Sequence, residues 1–114
     1  MAADHELITL TVQDYFEGWC DADAARTGRV LHRDLVKRSP ADDDGAVLTE
    51  DPVLQACAGG GGTRAADRRV TTGIADVCGD IASAVVSSGP CREYLHLVRT
   101  GDGRKIANAL WLPQ

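Results

Sequence analysis

Apolar residues in the first twenty positions recur every three or four places. Ile8, Val12, Tyr15, Phe16 and Trp19 fall on one side of a helix over about residues 5–19. Asp4 is placed to cap it, Glu6 is an acid in its first turn, and Gly18 with the polar "CDAD" stretch ends it. "DAARTGRVLH" predicts a second, shorter helix. Asp21 or Asp23 would cap it and Ala24, Ala25 and Leu31 would face inward, with Gly28 weakening it. "DLVKRS" predicts a short strand stopped by Pro40, "ADDDG" a turn, and "AVLT" a small return strand. "TEDPVLQACAGG" carries a helix start: Thr49 as N-cap, Glu50 and Asp51 in the first turn, and Pro52 where proline is tolerated. The glycine run at 59–62 ends that helix and predicts a flexible loop.

From Arg68 the period changes. "RRVTTGIADV", "IASAVVSS", "REYLHLVR" and "RKIANALWL" are strand segments separated by "CGD", "GPC" and "TGDG" turns. Four strands on short turns make an antiparallel meander. Helices followed by such a sheet predict an α+β domain, with the helices on one face of a curved sheet.

The 114 residues fit one domain, 1–114, large enough to bury a core without staples. A net charge of -5 argues against a nucleic-acid partner and gives no attraction to an anionic membrane. No apolar run is long enough to span a bilayer, and "MAADHELITL" lacks the pattern of a signal peptide, which points to a cytoplasmic protein. Cys20, Cys57, Cys78 and Cys91 form no Cys-x-x-Cys pair and have no histidine at zinc-finger spacing. They read as reduced thiols, with no metal. The glycine run lacks the lysine and Ser/Thr of a phosphate-cradling loop, so no cofactor is predicted.

Aromatics are only 4% of the chain, so each one is informative. "EYLHLVRTGDGRKIANALW", residues 93–111, holds a tyrosine, a histidine and a tryptophan. Strand side chains alternate between faces, and a turn of two or four residues sets odd positions on one strand against even positions on the other. On that register Leu95, Leu97, Ile106, Asn108 and Leu110 share one face. Tyr94, His96, Val98, Lys105, Ala107, Ala109 and Trp111 share the other. Small alanines beside larger side chains with polar tips fit the wall of a pocket. They fit equally well a core edge capped by aromatics whose polar tips reach solvent.

Several stretches together resemble a known family. They are Tyr15-Phe16-Glu17-Gly18-Trp19 with Asp23, Leu31-His32 with Asp34 through Arg38, Tyr94-Leu95-His96-Leu97, and Lys105-Ile106 with Asn108 and Trp111. From about Leu7 to Trp111 the chain resembles the nuclear transport factor 2-like superfamily. Within it, the chain is similar to the putative lumazine-binding branch, near the SnoaL-like polyketide cyclases. The resemblance implies a cone, in which three N-terminal helices pack on a curved, mostly antiparallel sheet with a pocket between them. It implies that the Tyr94, His96 and Trp111 face lines that pocket, and that the outer face pairs two copies. Arg33 stands where the family often has proline, and Arg104 where it often has an aromatic, removing a large apolar side chain from the last strand.

The leading expectation is a small-molecule-binding protein, with Tyr15, Trp19, His32, Lys37, Tyr94, His96 and Trp111 as candidate ligand contacts. An alternative is an isomerase, dehydratase or cyclase acting on a small carbonyl or polyketide-like substrate. Such enzymes need a base beside a carbonyl and a donor for the oxyanion. Tyr15 and His96 are the candidates, with His96 as base and Tyr15 or Tyr94 as donor. The stretch Leu35–Pro40 holds no acid where the isomerase-like relatives place one. A further alternative is a homodimeric interaction module, joined through the leucine-bearing outer face, whose pocket is incidental.

Overall fold

The computed structural model describes residues 2–40, 47–61, 69–89 and 91–113. In chain order the elements are helix α1 (Ala2–Cys20), α2 (Ala24–Gly28), strand β1 (Leu31–Arg38), α3 (Glu50–Ala58), β2 (Val70–Cys78), β3 (Ile81–Ser88), β4 (Cys91–Thr100) and β5 (Gly103–Pro113). The strands form one sheet in the order β1-β5-β4-β3-β2. Neighbours are antiparallel except β1, which lies parallel to β5. The helices lie on one face of this open, curved sheet, α1 and α3 against the strands and α2 against the other two helices, an α+β architecture. No described helix is long and apolar enough to cross a membrane.

Helix α1 lays Ile8, Val12 and Tyr15 onto the sheet. There they meet Ala82, Ala84 and Val86 from β3, Leu95 and Leu97 from β4, and Ile106 and Ala109 from β5. Leu31 and Leu35 from β1 and Val53 from α3 complete the core. The alternation along β3 and β4 puts every second residue inside.

The small helix α2 is held tightly to α1. The Asp23 side chain caps it by accepting the Arg26 backbone N–H at 3.0 Å. The Arg26 guanidinium donates to Asp14 at 2.9 Å and also to Glu17. Gly18 is buried inside α1 rather than at its end. A Cβ there would lie 2.4 Å from the Thr27 hydroxyl, so the close approach of α2 requires glycine.

Three local expectations change. Asp4 lies within the first turn of α1, which begins at Ala2, and pairs with arginines instead of capping. The second helix stops at Gly28, and Leu31 and His32 belong to β1. The parallel partner captures them: Leu31 sits opposite Ile106, whose N–H donates to the Val30 carbonyl at 2.7 Å. The "AVLT" strand reduces to one bridge between Lys37 and Leu48. The "ADDDG" turn at 41–45, Ala46 and Gly62 lie outside the described residues.

The β4–β5 hairpin turns through Gly101 and Asp102, with Thr100 opposite Gly103. Gly103 has φ of 104°, a backbone region that favours glycine. Pairing runs regularly to Leu97 opposite Ile106. It then shifts by one, so that His96 faces Asn108 and Ala107 is the extra residue of a bulge. Beyond the bulge the parity of β5 reverses. Arg104 and Ile106 point inward before it, and Ala109 and Trp111 share the inward face after it.

Candidate functional site

Three elements bring a phenol, an ammonium and a carboxylate together between α1 and the sheet. Tyr15 comes from α1, one helical turn before Trp19. Lys37 comes from β1, and Glu93 from β4, where it is in the same inward series as Leu95 and Leu97. Tyr15 and Glu93 are each 3% exposed and Lys37 9%. The Lys37 ammonium donates to the Tyr15 hydroxyl, which donates to Glu93 Oε2 at 3.3 Å. Lys37 Nζ lies 3.7 Å from Glu93 Oε1. That separation makes an ion pair but is too long for a good hydrogen bond.

Aromatic rings surround the ammonium. The centroids of Tyr15, Trp19 and Trp111 are 5.1, 5.6 and 5.9 Å from Lys37 Nζ. All are within the range at which a ring quadrupole attracts a cation. The Trp111 indole N–H is buried and has no hydrogen-bond partner among the described residues. Both tryptophans of the chain therefore stand beside Lys37.

Burial first, and the Glu93 carboxylate second, push the Tyr15 phenol above its ordinary value of 10.0, against the opposing pull of Lys37. Burial alone would press Lys37 down. The facing Tyr15 and Glu93 outweigh it and leave the ammonium above its ordinary value. Burial also pushes the Glu93 carboxyl up, while Lys37 and the Tyr15 hydroxyl pull it back without cancelling the rise. At neutral pH Tyr15 is a neutral phenol and Lys37 a cation.

The sequence-predicted residues divide into two groups. Tyr15, Trp19, Lys37 and Trp111 meet in this cluster. Tyr94 and His96 do not: Tyr94 is 49% exposed and His96 is exposed, both on the sheet face away from the helices. The pairing of His96 with Tyr15 as base and donor is thereby corrected. The reason is packing. Leu95 and Leu97 fill the core under α1, so their even-numbered neighbours must point the other way. The leucine face is the core and not a surface for a partner. Trp111 reaches the inside only because of the bulge at Ala107. His96 instead meets Asn108, with 3.3 Å between its Nδ1 and Asn108 Nδ2. His32 lies five residues before Lys37, about 16 Å along the strand, and its Nδ1 accepts the Asp34 backbone N–H at 3.0 Å.

Glu93 is the residue that the sequence reading left unplaced. Its signal was available: it shares the odd parity of Leu95 and Leu97. Arg104 was read as the loss of an apolar side chain. It is buried on the inner face and donates to Asp4 in the first turn of α1. Its Nε and Nη1 have no partner among the described residues. Among the described residues no group of three or more His, Cys, Asp or Glu side chains is placed to hold a metal ion.

The sequence profile of a family described as putative lumazine-binding matches residues 3–112. No curated protein matches the chain. Many solved structures share its fold. A nuclear transport factor 2-like protein of unknown function from Silicibacter pomeroyi superposes with a TM-score of 0.81 at 16% identity, over 100% of this chain and 99% of that one. Another from Shewanella baltica gives 0.78 at 13% identity, over 100% and 96%. A structure from Streptomyces avermitilis, titled a putative dehydratase of the same superfamily, gives 0.70 at 18% identity, over 99% and 97%.

Proposed function

The chain belongs to the putative lumazine-binding family, and on that premise we propose that it binds a small organic molecule between α1 and the inner face of the sheet, beside Lys37, Tyr15 and Glu93. The observation that carries this reading is the buried Lys37–Tyr15–Glu93 cluster within its three aromatic rings. Removing two charges from water costs several kcal/mol per ion, and apolar side chains of the same volume commonly serve a fold as well or better. Stability therefore does not explain the cluster. Buried groups with displaced proton affinities mark functional sites more often than other positions. Trp19 and Trp111 supply flat apolar walls, and the buried indole N–H of Trp111 is a donor in want of an acceptor.

The test is thermal unfolding in the presence of a low-molecular-mass extract from the organism that makes the protein. A ligand at a hundred times its Kd stabilises by about 2.7 kcal/mol, so the midpoint should rise by several degrees. It should rise less for Lys37→Met. An unmoved midpoint across fractionated extracts counts against binding.

Two further readings each have an observation behind them. Glu93 and Tyr15 would provide a carboxylate and a donor for dehydratase- or isomerase-type proton transfer on a carbonyl compound, supported by the dehydratase title of one neighbour. In that chemistry Glu93 replaces His96 as the candidate base, and Glu93→Gln would abolish turnover. The exposed Ile81, Tyr94, Leu110 and Leu112 favour self-association through the outer sheet face. Sedimentation at micromolar concentration would then give twice the chain mass, and Tyr94→Glu would give the monomer. We read the chain as one domain working in the cytoplasm, where its four free thiols stay reduced.

A further inference from the structure

The cluster limits which ligand can enter, given the binding reading on which this inference rests. Lys37 already occupies the space between the faces of Tyr15, Trp19 and Trp111. A cationic ligand would meet an ammonium where it needs an open aromatic surface, and like charges repel strongly in a buried site. An acceptor oxygen meets the opposite situation. The indole N–H of Trp111 has no partner among the described residues. The described partners of the Lys37 ammonium are a neutral phenol within hydrogen-bond distance and a carboxylate held off at 3.7 Å. Among the described residues its positive charge has no counterion at hydrogen-bond distance. The flanking tryptophans favour a flat conjugated body.

A permanent anion added to this cluster would face Glu93. The repulsion disappears if Glu93 takes up a proton as the anion arrives. Burial favours that uptake, because the neutral acid is the form a low-dielectric site accepts. Tyr15 is placed to follow the change. Its hydroxyl donates to the Glu93 carboxylate and can accept from the carboxylic acid after rotation.

We propose that the ligand is a flat aromatic acid, whose carboxylate replaces Glu93 as the counterion of Lys37, accepts the Trp111 indole N–H, and binds with the uptake of one proton at Glu93. The bound site then holds Lys37 as a cation, the ligand as an anion and Glu93 as a neutral acid. No net charge is left buried.

Isothermal titration calorimetry with three probes of one shape tests this. The probes are 2-naphthoate, 2-naphthamide and 2-naphthylmethylammonium, titrated in buffers of different ionisation heat. The carboxylate should bind at least about tenfold more tightly than the amide, since charge-assisted hydrogen bonds are the stronger kind. The ammonium should bind most weakly. The buffer dependence should count close to one proton taken up with 2-naphthoate and none with the amide. Above the pH at which Glu93 ionises in the free protein, the Kd for 2-naphthoate should rise about tenfold per pH unit. Glu93→Gln should remove the proton uptake and flatten the pH slope. The wild-type proton count needs no variant, so the test survives a variant that fails to fold. An amide that binds as tightly as the carboxylate, a tightest-binding ammonium, or a wild-type proton count of zero overturns the acid-ligand proposal and leaves the broader binding reading standing. No heat of binding from any probe overturns the acid-ligand proposal. Failure of the metabolite-extract test as well is what removes the broader reading.

Discussion

Two groups of charges tie α1 to the sheet, one near each end of the helix, and they differ in kind. At the start of the helix Asp4 pairs with Arg104, and Arg99 lies between Asp4 and Asp80. This group runs from a buried guanidinium outward to exposed side chains. Farther along, Lys37, Tyr15 and Glu93 are all withdrawn from solvent. The first group resembles a tether, graded into water and mostly screened. The second keeps a full ion pair in the interior, where an apolar substitute would cost less. A fold that needed only attachment would be served by the first kind of contact, and the proposed binding site rests on the second kind.

The comparison breaks most visibly at the inner pair. Lys37→Met or Glu93→Leu alone leaves an unpaired buried charge and should cost about 3–5 kcal/mol by urea unfolding. The double substitution should recover nearly all of it, because an apolar pair of similar volume is commonly neutral or stabilising. At the other end Asp4→Asn removes the partner of a buried guanidinium from a carboxylate that is itself partly exposed. A smaller loss, about 1–2 kcal/mol, should result, read from the same urea curves.

A pH titration separates the two groups further. The Tyr15 phenol and the Lys37 ammonium both hold their protons more tightly when folded than their ordinary values of 10.0 and 10.5. A raised folded value contributes stability that is complete below the unfolded value and is lost as pH rises through the folded one. The chain should therefore weaken as pH climbs past about 10. Tyr15→Phe should blunt that fall in a thermal melt, while Asp4→Asn should leave its slope unchanged. The smallest effect belongs to the outermost pair. Asp80→Asn removes an exposed partner of Arg99, and its melting midpoint should match wild type once salt screens the surface.

Much of the fold follows from periodicity in the sequence. The apolar stripe of α1, the start of α3 at Thr49 and the four-strand meander appear where the pattern puts them. Capture of Leu31 and His32 by β5 does not, because a parallel pairing joins segments some seventy-five residues apart and leaves no local signal. The hairpin shows the same boundary at finer scale. Alternation divides its residues into two sets, but a bulge at Ala107 moves Ala109 and Trp111 from one set to the other. Which set faces the helices is a matter of packing. Leu95 and Leu97 bury more apolar surface than Tyr94 and His96 could without stranding polar groups. That preference also carries Glu93 inside, the carboxylate absent from the stretch where relatives suggested it.

Arg104 illustrates a different limit. A single arginine in a strand gives no sign of its partner a hundred residues away. In the structure Asp4 meets it from the first turn of α1. Tyr15 and Trp19 were legible because helix spacing puts them on the apolar stripe of α1; Lys37 was a candidate only for the charge it would offer if buried, and its burial was not legible.

The most direct test of the binding site is native mass spectrometry of the protein purified from the organism that makes it, beside Lys37→Met purified in the same way. The site proposed here predicts a wild-type chain carrying an additional small-molecule mass that the variant has lost or retains at much lower occupancy. A wild-type spectrum with only the bare chain, or an added mass unchanged in the variant, would contradict it.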